Sequence, residues 1–403
     1  MIKQISIPKF FIAVVFCMLL QIMLSSAVFA QDATNNPQAV DPNHAALRSG
    51  ALMKLKGTMR NYFVVNGEKR LVKDLFTLRE LGFKLKDVVR VEKEVFDVLP
   101  LGEPIKISPP KIKGMFDMHE HYRNGAKPES YLDVAGKLGV AKTVFVPTGN
   151  QPDNRGYLKH TAALLKAQKK YPERIIAFCT IDEADPNAPE IFKKCLDDGG
   201  QGVKLLGGHP DFYDVPLNND IVKQVFKIAE ERDVPVMVHA SIVNVPKMKD
   251  ELKDLLNSFP TVRVQFSHYC STVIKGINLE QCAEFLDAYP QLYIDLSMGG
   301  GITRYFGYMI EPEGLQKIKD FVLKYQDRIF YGTDSIIAGA GPTTDKNWLR
   351  GRMMCDFSLN QEKWYRCPAI NKGEYTLLPG FNLSEDVLRK LYVDNPKKFL
   401  KIE

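Results

Sequence analysis

An apolar run that ends in a pair of histidines lies at Gly114–His121, which reads GMFDMHEH. His119 and His121 are two residues apart, so on an extended strand their side chains point to the same side. Two imidazole nitrogens at that spacing can meet one metal ion. Met118 and Glu120 are then expected to face the surrounding helices. The stretch therefore predicts a strand that ends in a pair of metal ligands.

From Lys111 onward, short apolar or β-branched runs alternate with amphipathic stretches of about ten to fifteen residues. The runs predict eight strands at 114–119, 143–147, 175–180, 202–206, 235–239, 263–268, 292–297 and 328–333. Helical patterns lie between them, as at 157–170, 220–232, 247–258, 279–288 and 315–325. Eight strand–helix units predict a (β/α)8 TIM barrel. A doubly wound open sheet would give the same local alternation, but the strand count favours the barrel, and no G-x-G-x-x-G follows the first strand.

Groups that can bind a metal recur at the carboxyl ends of these predicted strands, which is where such barrels carry their active sites. His239 ends the fifth strand, His268 ends the sixth, and Asp334 follows the eighth. Any one of them alone is more typical of a structural, hydrogen-bonded residue. Together with the histidine pair of the first strand they predict a metal site. Asp295 falls inside the seventh strand and is interpreted as a buried hydrogen-bonding residue, and His44 and His160 are given no role.

The first thirty residues resemble a secretory signal peptide, because two lysines precede an apolar core and small residues end it at Ala30. An uncleaved membrane anchor is the alternative, since the core is nearly long enough to span a bilayer. Residues 31–110 are predicted as a leader and a small extension, with a hairpin at 62–72 turning at Asn66-Gly67, a helix at 75–81 and a linker from 83 to 110. The barrel is assigned to 111–403.

The composition of the 403 residues, with 45% hydrophobic and 25% charged, excludes collagen, coiled coil and general disorder. Loss of Lys3 and Lys9 with the leader lowers the formal charge from +6 to +4. Such a mild charge argues against a nucleic-acid partner and favours a small-molecule substrate; a homo-oligomer stays open. After cleavage six cysteines remain, which permit disulfides in an oxidising compartment. Cys355 and Cys367 are the predicted pair, and free buried thiols are the alternative for the other four.

The motif D-x-H-x-H, with histidines ending strands 5 and 6 and Gly332-Thr333-Asp334 on strand 8, resembles the amidohydrolase superfamily. More narrowly it is similar to the amidohydrolase-related branch of the aminocarboxymuconate-semialdehyde decarboxylase type. Gly202-Val203-Lys204-Leu205 is similar to the G-x-K-L of that branch, and the chain's last helix, at 394–400, resembles the branch's final helix. The likeness covers 111 to the C-terminus.

The resemblance implies that one divalent metal ion, zinc in the simplest case, is bound by His119, His121, His239 and Asp334. It implies that Asp334 also accepts a proton from the metal-bound water, and that His268 acts as a general acid/base or polarises a carbonyl. The alternative is a two-metal centre, in which a carboxylated lysine on strand 4 recruits His239 and His268 to a second ion.

Four further side chains are candidate substrate contacts on the same face of the barrel. Lys204 is costly to bury unless it is paired, so it is interpreted as a structural or substrate-facing cation. His209 lies in the loop after strand 4 and either reaches substrate or is an ordinary loop residue. Arg123 and Arg304 suit a carboxylate, with solvated surface arginines as the alternative. The stretch 336–383 is predicted to be irregular, either a lid over the pocket or an interface or surface loop.

The sequence thus predicts an exported, periplasmic or secreted, metal-dependent hydrolase. Metal-bound water would attack the carbonyl of an amide, lactone or ester in a small, carboxylated substrate. Non-oxidative decarboxylation of an unsaturated or aromatic acid is the first alternative, and a ligand-binding barrel without turnover is the second.

Overall fold

A computed structural model describes residues 45–148, 157–271, 279–297, 312–340, 344–367 and 377–403. The predicted signal peptide, His44 and Arg304 lie outside these ranges. No helix within the described part of the chain has both the length and the apolar character that crossing a membrane requires.

The residues before the barrel form a five-stranded sheet of their own. Its strands are β1 (Leu52–Leu55), β2 (Asn61–Val65), β3 (Glu68–Val72), β4 (Val88–Val91) and β5 (Leu101–Ile105), in the order β4-β1-β2-β3-β5. The predicted hairpin is confirmed as β2 and β3, because Asn66 and Gly67 both adopt the positive φ that a tight turn needs. The helix α1 (Leu75–Glu80) is confirmed as well.

The predicted linker from 83 to 110 is wrong over most of its length. It contains β4, the short helix α2 (Lys93–Phe96) and β5, and β4 and β5 form the two edges of the N-terminal sheet. Both strands are short and mostly exposed or half-buried, so they lack the strong apolar alternation by which a strand is recognised in a sequence.

All eight predicted barrel strands are present. They are β6 (Met115–Tyr122), β7 (Val140–Pro147), β8 (Ile175–Ala177) with its continuation β9 (Cys179–Ile181), β10 (Val203–Leu205), β11 (Val236–Val238), β12 (Val264–Phe266), β13 (Leu292–Asp295) and β14 (Ile329–Phe330). Neighbouring strands pair in parallel from β6 to β8 and from β9 to β14. The ring closes where the Met118 amide donates to the Tyr331 carbonyl at 2.9 Å, so the sheet is a closed barrel and not an open one.

Helices cover the outside of this ring. They are α3 (Pro128–Leu138), α4 (Tyr157–Lys170), α5 (Ala188–Asp197), α6 (Asp220–Glu231), α7 (Met248–Ser258), α8 (Glu280–Ala288), α9 (Pro312–Lys324), α10 (Lys346–Gln361), α11 (Glu385–Arg389) and α12 (Asn395–Leu400). Three further strands are short: β15 (Ile336–Ile337), β16 (Trp364–Tyr365) and β17 (Leu378–Pro379), of which β16 and β17 pair with each other.

A β-bulge in β6 changes which side chains enter the barrel. Between Asp117 and Glu120 the pairing advances three residues on β6 but only two on β7. Met118 therefore joins the apolar cluster inside the barrel, and the expectation that it faces the helices is wrong. Asp117 points outward instead, where its Oδ2 accepts a hydrogen bond from Tyr131 of α3 at 2.5 Å.

The stretch predicted to be irregular, 336–383, contains a long helix and three short strands within its described residues. α10 has 16 residues and a buried face, and it binds the N-terminal sheet unit through Arg350, whose Nη2 lies 2.6 Å from Oε1 of Glu80. A packed helix of this kind is not a lid.

Six cysteines form three disulfides: Cys179–Cys195, Cys270–Cys282 and Cys355–Cys367. The predicted pair is confirmed, and the alternative of free thiols for the other four cysteines is wrong. Each disulfide joins residues 12 or 16 positions apart, so each one cross-links a short local segment of the chain.

Candidate metal centre

Three predicted ligands meet at the carboxyl end of the barrel. Asp334 Oδ1 lies 2.9 Å from Nε2 of His121 and 3.5 Å from Nε2 of His119. The ligand atoms of these three residues all lie within 4.8 Å of one another. Two imidazoles and a carboxylate facing one point are the donor set of a divalent transition metal, zinc included.

Asp295 holds His119 in the orientation that a ligand needs. Its Oδ2 lies 3.0 Å from Nδ1 of His119, and both side chains are fully buried. Gln265 Nε2 donates to the same oxygen at 2.8 Å. Because the Nδ1–H of His119 donates a hydrogen bond to this carboxylate, the lone pair of Nε2 is available to a metal. The interpretation of Asp295 as a buried hydrogen-bonding residue is confirmed, and the structure adds its partner.

The protonation states of this cluster suit metal binding. Burial, with Lys204 nearby, lowers the pKa of His119 to about 4, so its ring is neutral at physiological pH. Burial also lowers the pKa of His121. The surrounding histidines hold the pKa of Asp334 well below its ordinary value even though burial opposes this. Neutral imidazoles and an ionised carboxylate are the forms that ligate a metal.

His268 lies beside the three ligands, as predicted. Its ring stacks on that of His119 with centroids 5.1 Å apart, and its Nδ1 lies 3.0 Å from the Ser297 carbonyl oxygen and 3.7 Å from Oδ2 of Asp334. A carbonyl can only accept, so Nδ1 of His268 carries a proton and donates it to this hydrogen bond. Ser297 Oγ also lies within 3.1 Å of both rings and links them to Asp295.

His239 lies at the same end of the barrel, where its side chain makes ring contacts with two other histidines. Its ring centroid lies 4.8 Å from that of His268 and 4.6 Å from that of His209. Within the described residues, it belongs to neither group of metal-competent atoms that converge within 4.8 Å, which are His119–His121–Asp334 and His119–His268–Asp295. Its role as a fourth ligand stays a prediction.

Lys204 is fully buried at the centre of the site. Its Nζ donates to Ser267 Oγ at 2.8 Å and lies 3.5 Å from Nε2 of His119. Burial lowers its pKa to about 8, and the charges of Asp295 and Asp334 oppose that shift. The lysine therefore lies beside the predicted metal position, and its assignment as a structural or substrate-facing cation stays a prediction.

The remaining candidate contacts lie at the mouth. The His209 ring meets the His239 ring edge to face, and its Nδ1 accepts a hydrogen bond from the Asp211 amide at 3.1 Å. Arg123 follows β6, and its Nε donates to Thr148 Oγ1 at 3.1 Å. Arg304 lies outside the described residues, so its assignment stays a prediction.

A pair of buried carboxyls behind the ligands was missed by the sequence analysis. Thr333 Oγ1 lies 2.7 Å from Oδ2 of Asp117 and 2.5 Å from Oε2 of Glu120. One hydroxyl hydrogen cannot serve both acceptors, so one carboxyl must be protonated. Burial raises the pKa of Asp117 to about 6, and burial together with the charge of Asp117 raises that of Glu120 further. This cluster anchors the loop that carries Asp334, and the Asp of the strand-1 motif was the signal for it.

Residues 102–402 match the family model described as Amidohydrolase. Among solved structures, the chain is similar to a probable 2-pyrone-4,6-dicarboxylic acid hydrolase from Acinetobacter baumannii at 16% identity and a TM-score of 0.49, over 72% of this chain and 100% of that one. It is similar to a 2,6-dihydroxybenzoate decarboxylase from Rhizobium at 14% identity and 0.47, over 72% and 99%. It is also similar to a dihydroorotase from Campylobacter jejuni at 15% and 0.46, over 74% and 87%. A comparison with curated proteins found no match.

Proposed function

Because the chain belongs to the amidohydrolase family, whose members are metal-dependent enzymes, we propose that it is an exported hydrolase. Its substrate class is a small, carboxylate-bearing amide, lactone or ester. The observation that carries this proposal is the convergence of His119 Nε2, His121 Nε2 and Asp334 Oδ1 in front of a buried Asp295. An arrangement that fixes one histidine tautomer and leaves its free nitrogen facing a carboxylate suits a metal site better than a structural one.

His119, His121 and Asp334 would hold one divalent ion, with His239 as the further ligand and zinc as the ion that this donor set suits. The residues fit such an ion, because the Nδ1 of His119 is already committed to Asp295 and the ring is neutral. When bound, the ion supplies Lewis acidity and lowers the pKa of a water molecule.

The protein's own groups then handle protons and charge. Asp334 is ionised in the resting site and would accept a proton from the attacking water. Its Oδ2 lies 3.7 Å from Nδ1 of His268, so the two groups act at one place. His268 would take up that proton from Asp334, stabilise the negative charge that develops on the carbonyl oxygen, and deliver the proton to the leaving group. Lys204 adds a positive charge that favours an anionic substrate.

Export is supported by the cysteine chemistry. All six cysteines outside the predicted leader are paired, and such bonds persist in oxidising compartments. We therefore place the mature protein in the periplasm or outside the cell, freed from the membrane by cleavage after Ala30.

Product analysis tests the proposed reaction. The purified mature protein is incubated with amides, lactones and esters of small carboxylic acids, and also with unsaturated and aromatic acids. Acid release is followed in a pH-stat and carbon dioxide with a gas sensor. We expect acid release without carbon dioxide, at a rate that the Asp334→Asn variant loses. Carbon dioxide from the free acids would instead make the protein a decarboxylase, and no turnover of any kind by metal-loaded protein would favour a ligand-binding barrel.

A further inference from the structure

A groove of about 800 Å³ lies in the sheet unit that β1 to β5 form ahead of the barrel. Its lining residues all fall between Lys54 and Arg90, so the barrel contributes none of them. They come from β1, β2, β3 and β4, from the start of α1 and from Leu85-Lys86. The groove is therefore separate from the candidate metal centre.

Positive charge dominates the lining of this groove. Its five cationic side chains are Lys54, Arg60, Lys73, Lys86 and Arg90. Within the described residues, none of them pairs with a carboxylate; the ion pairs of the neighbouring residues are Lys56–Glu92, Glu68–Arg70 and Lys93–Asp97. The one acidic lining residue, Asp74, caps α1, because its Oδ1 accepts the Thr77 amide at 2.7 Å. The cations of the groove are thus left without a counterion from the described chain.

The sheet places two of these charges side by side. Lys54 on β1 and Arg90 on β4 are register partners in a parallel pair. Side chains of register partners lie on the same face of a sheet, and like charges placed in this way repel each other. Lys54 is half-buried and Arg90 is exposed. A bound anion would remove the repulsion between them.

Large apolar side chains are exposed along the same groove. Met59, Leu75 and Leu85 line it and are 89%, 50% and 59% exposed. Single exposed apolar residues are ordinary, but three of them together among cations mark an interaction surface. Met59 lies in the loop between β1 and β2 with Arg60 next to it, so an apolar side chain protrudes beside a cation.

We propose that this groove is a docking surface for a membrane that contains anionic phospholipids. Lipid phosphates match the unpaired cations, and the boundary of the acyl chains accepts the exposed apolar side chains. An acidic peptide would match the charges too, but the protruding Met59 suits insertion between lipids better than contact with a peptide lying in the groove. Docking of this kind is reversible and weakened by salt, so it differs from a membrane anchor. It goes beyond the proposed reaction and does not depend on it.

Sedimentation with lipid vesicles tests the docking surface on the purified mature protein. We expect vesicles of phosphatidylcholine with about 30% phosphatidylglycerol to bind at least about tenfold more tightly than pure phosphatidylcholine at low salt. The preference should disappear at about 0.5 M salt, because the charges are then screened.

A pair of charge substitutions locates the binding in the groove. Lys54→Gln combined with Arg90→Gln should weaken binding to the anionic vesicles about tenfold or more, since each charge at an anionic surface contributes about fivefold. Lys169→Gln combined with Lys227→Gln is the matched control. It removes the same net charge from exposed positions on α4 and α6, outside the groove, and should bind within about twofold of the wild type.

A substitution of Met59 tests the apolar part of the surface. Met59→Ser should weaken binding to the anionic vesicles about threefold or more, because it removes an apolar side chain from the lipid boundary while every charge stays. Val98→Ser is its control, since Val98 is 60% exposed in the same sheet unit but does not line the groove. Thermal midpoints establish that all variants are folded.

Equal binding to the two kinds of vesicle, or no binding to the anionic ones, would overturn the docking surface. So would a Lys169/Lys227 variant that loses as much affinity as the Lys54/Arg90 variant. Binding of a soluble peptide of alternating glutamate and leucine, lost in the Lys54/Arg90 variant and without any binding to vesicles, would assign the groove to a protein partner and overturn it as well. None of these measurements uses turnover, so they leave the proposed hydrolase untouched.

Discussion

The two sides of the metal centre differ in how their side chains are held. On the closed side, His119, His268, Asp295, Ser297 and Asp334 form a continuous buried network. On the open side, the His239 ring contacts the His209 ring and the His268 ring edge to face.

The difference assigns different tasks to the two sides. Groups locked by buried hydrogen bonds lose little entropy when they bind a metal, so the closed side is suited to hold the ion and move protons. Rings outside this buried hydrogen-bond network can adjust to what enters the mouth of the barrel, so the open side is suited to contact substrate. Substitutions on the closed side, and of the proposed ligand His239, should therefore affect metal binding and kcat, whereas substitution of His209 should affect KM.

The largest effect is expected from Asp334→Asn. The amide keeps the shape but cannot accept a proton, so kcat should fall by about 10²- to 10⁴-fold. Steady-state kinetics on the substrate found by product analysis measures this, with the metal content determined in parallel. A variant with wild-type kcat would remove Asp334 from the base role.

Glu183 lies under the open side, is buried, and accepts the Gly207 amide at 2.7 Å. Burial raises its pKa from 4.5 to about 7, with the backbone hydrogen bonds opposing. The folded protein thus binds this proton more tightly than the unfolded chain does. The contribution to stability is complete below pH 4.5 and is lost as the pH rises through 7.

Glu183→Gln should therefore match the wild type near pH 4 and exceed its free energy of unfolding by about 3 kcal/mol at pH 8. The amide oxygen can still accept the Gly207 N–H, so the loop is preserved. Urea unfolding at several pH values measures the difference. A constant offset between the two proteins at all pH values would contradict the raised pKa.

Asp295→Asn tests whether the hydrogen bond from Asp295 to His119 supports metal binding on the closed side. The variant cannot stabilise the same His119 tautomer with a negative charge, so metal affinity should fall by about 10- to 100-fold. Competition with a chelator measures it. Glu251→Gln is the control, because Glu251 is buried and hydrogen-bonded to the Leu217 amide at 2.9 Å, away from the ligands. If both variants bind metal like the wild type, Asp295 does not act through His119.

The smallest effect is expected from His209→Ala on the open side. Loss of one polar contact should raise KM about fivefold and leave kcat and metal content unchanged. A fall in kcat of the size expected for Asp334→Asn would mean that the two sides do not divide their tasks in this way.

The barrel and its candidate metal ligands could be predicted from the sequence because both depend on local patterns. Period-two and helical runs predict strands and helices, and the end of each strand follows from where its run stops. Asp295 was recognised as buried, but its partner His119 lies 176 residues away and is fixed only when the barrel closes. The β-bulge that turns Met118 into the barrel interior has no signature in the sequence. The fifteen possible pairings of six cysteines cannot be told apart without the fold.

Elemental analysis of the purified mature protein beside its His121→Ala variant tests the central claim most directly. We expect one equivalent of divalent metal, zinc in the simplest case, in the wild type and its loss in the variant. The thermal midpoints of both proteins establish that the variant is folded. Equal metal content in two folded proteins would contradict the assignment of His119, His121 and Asp334 as the metal ligands.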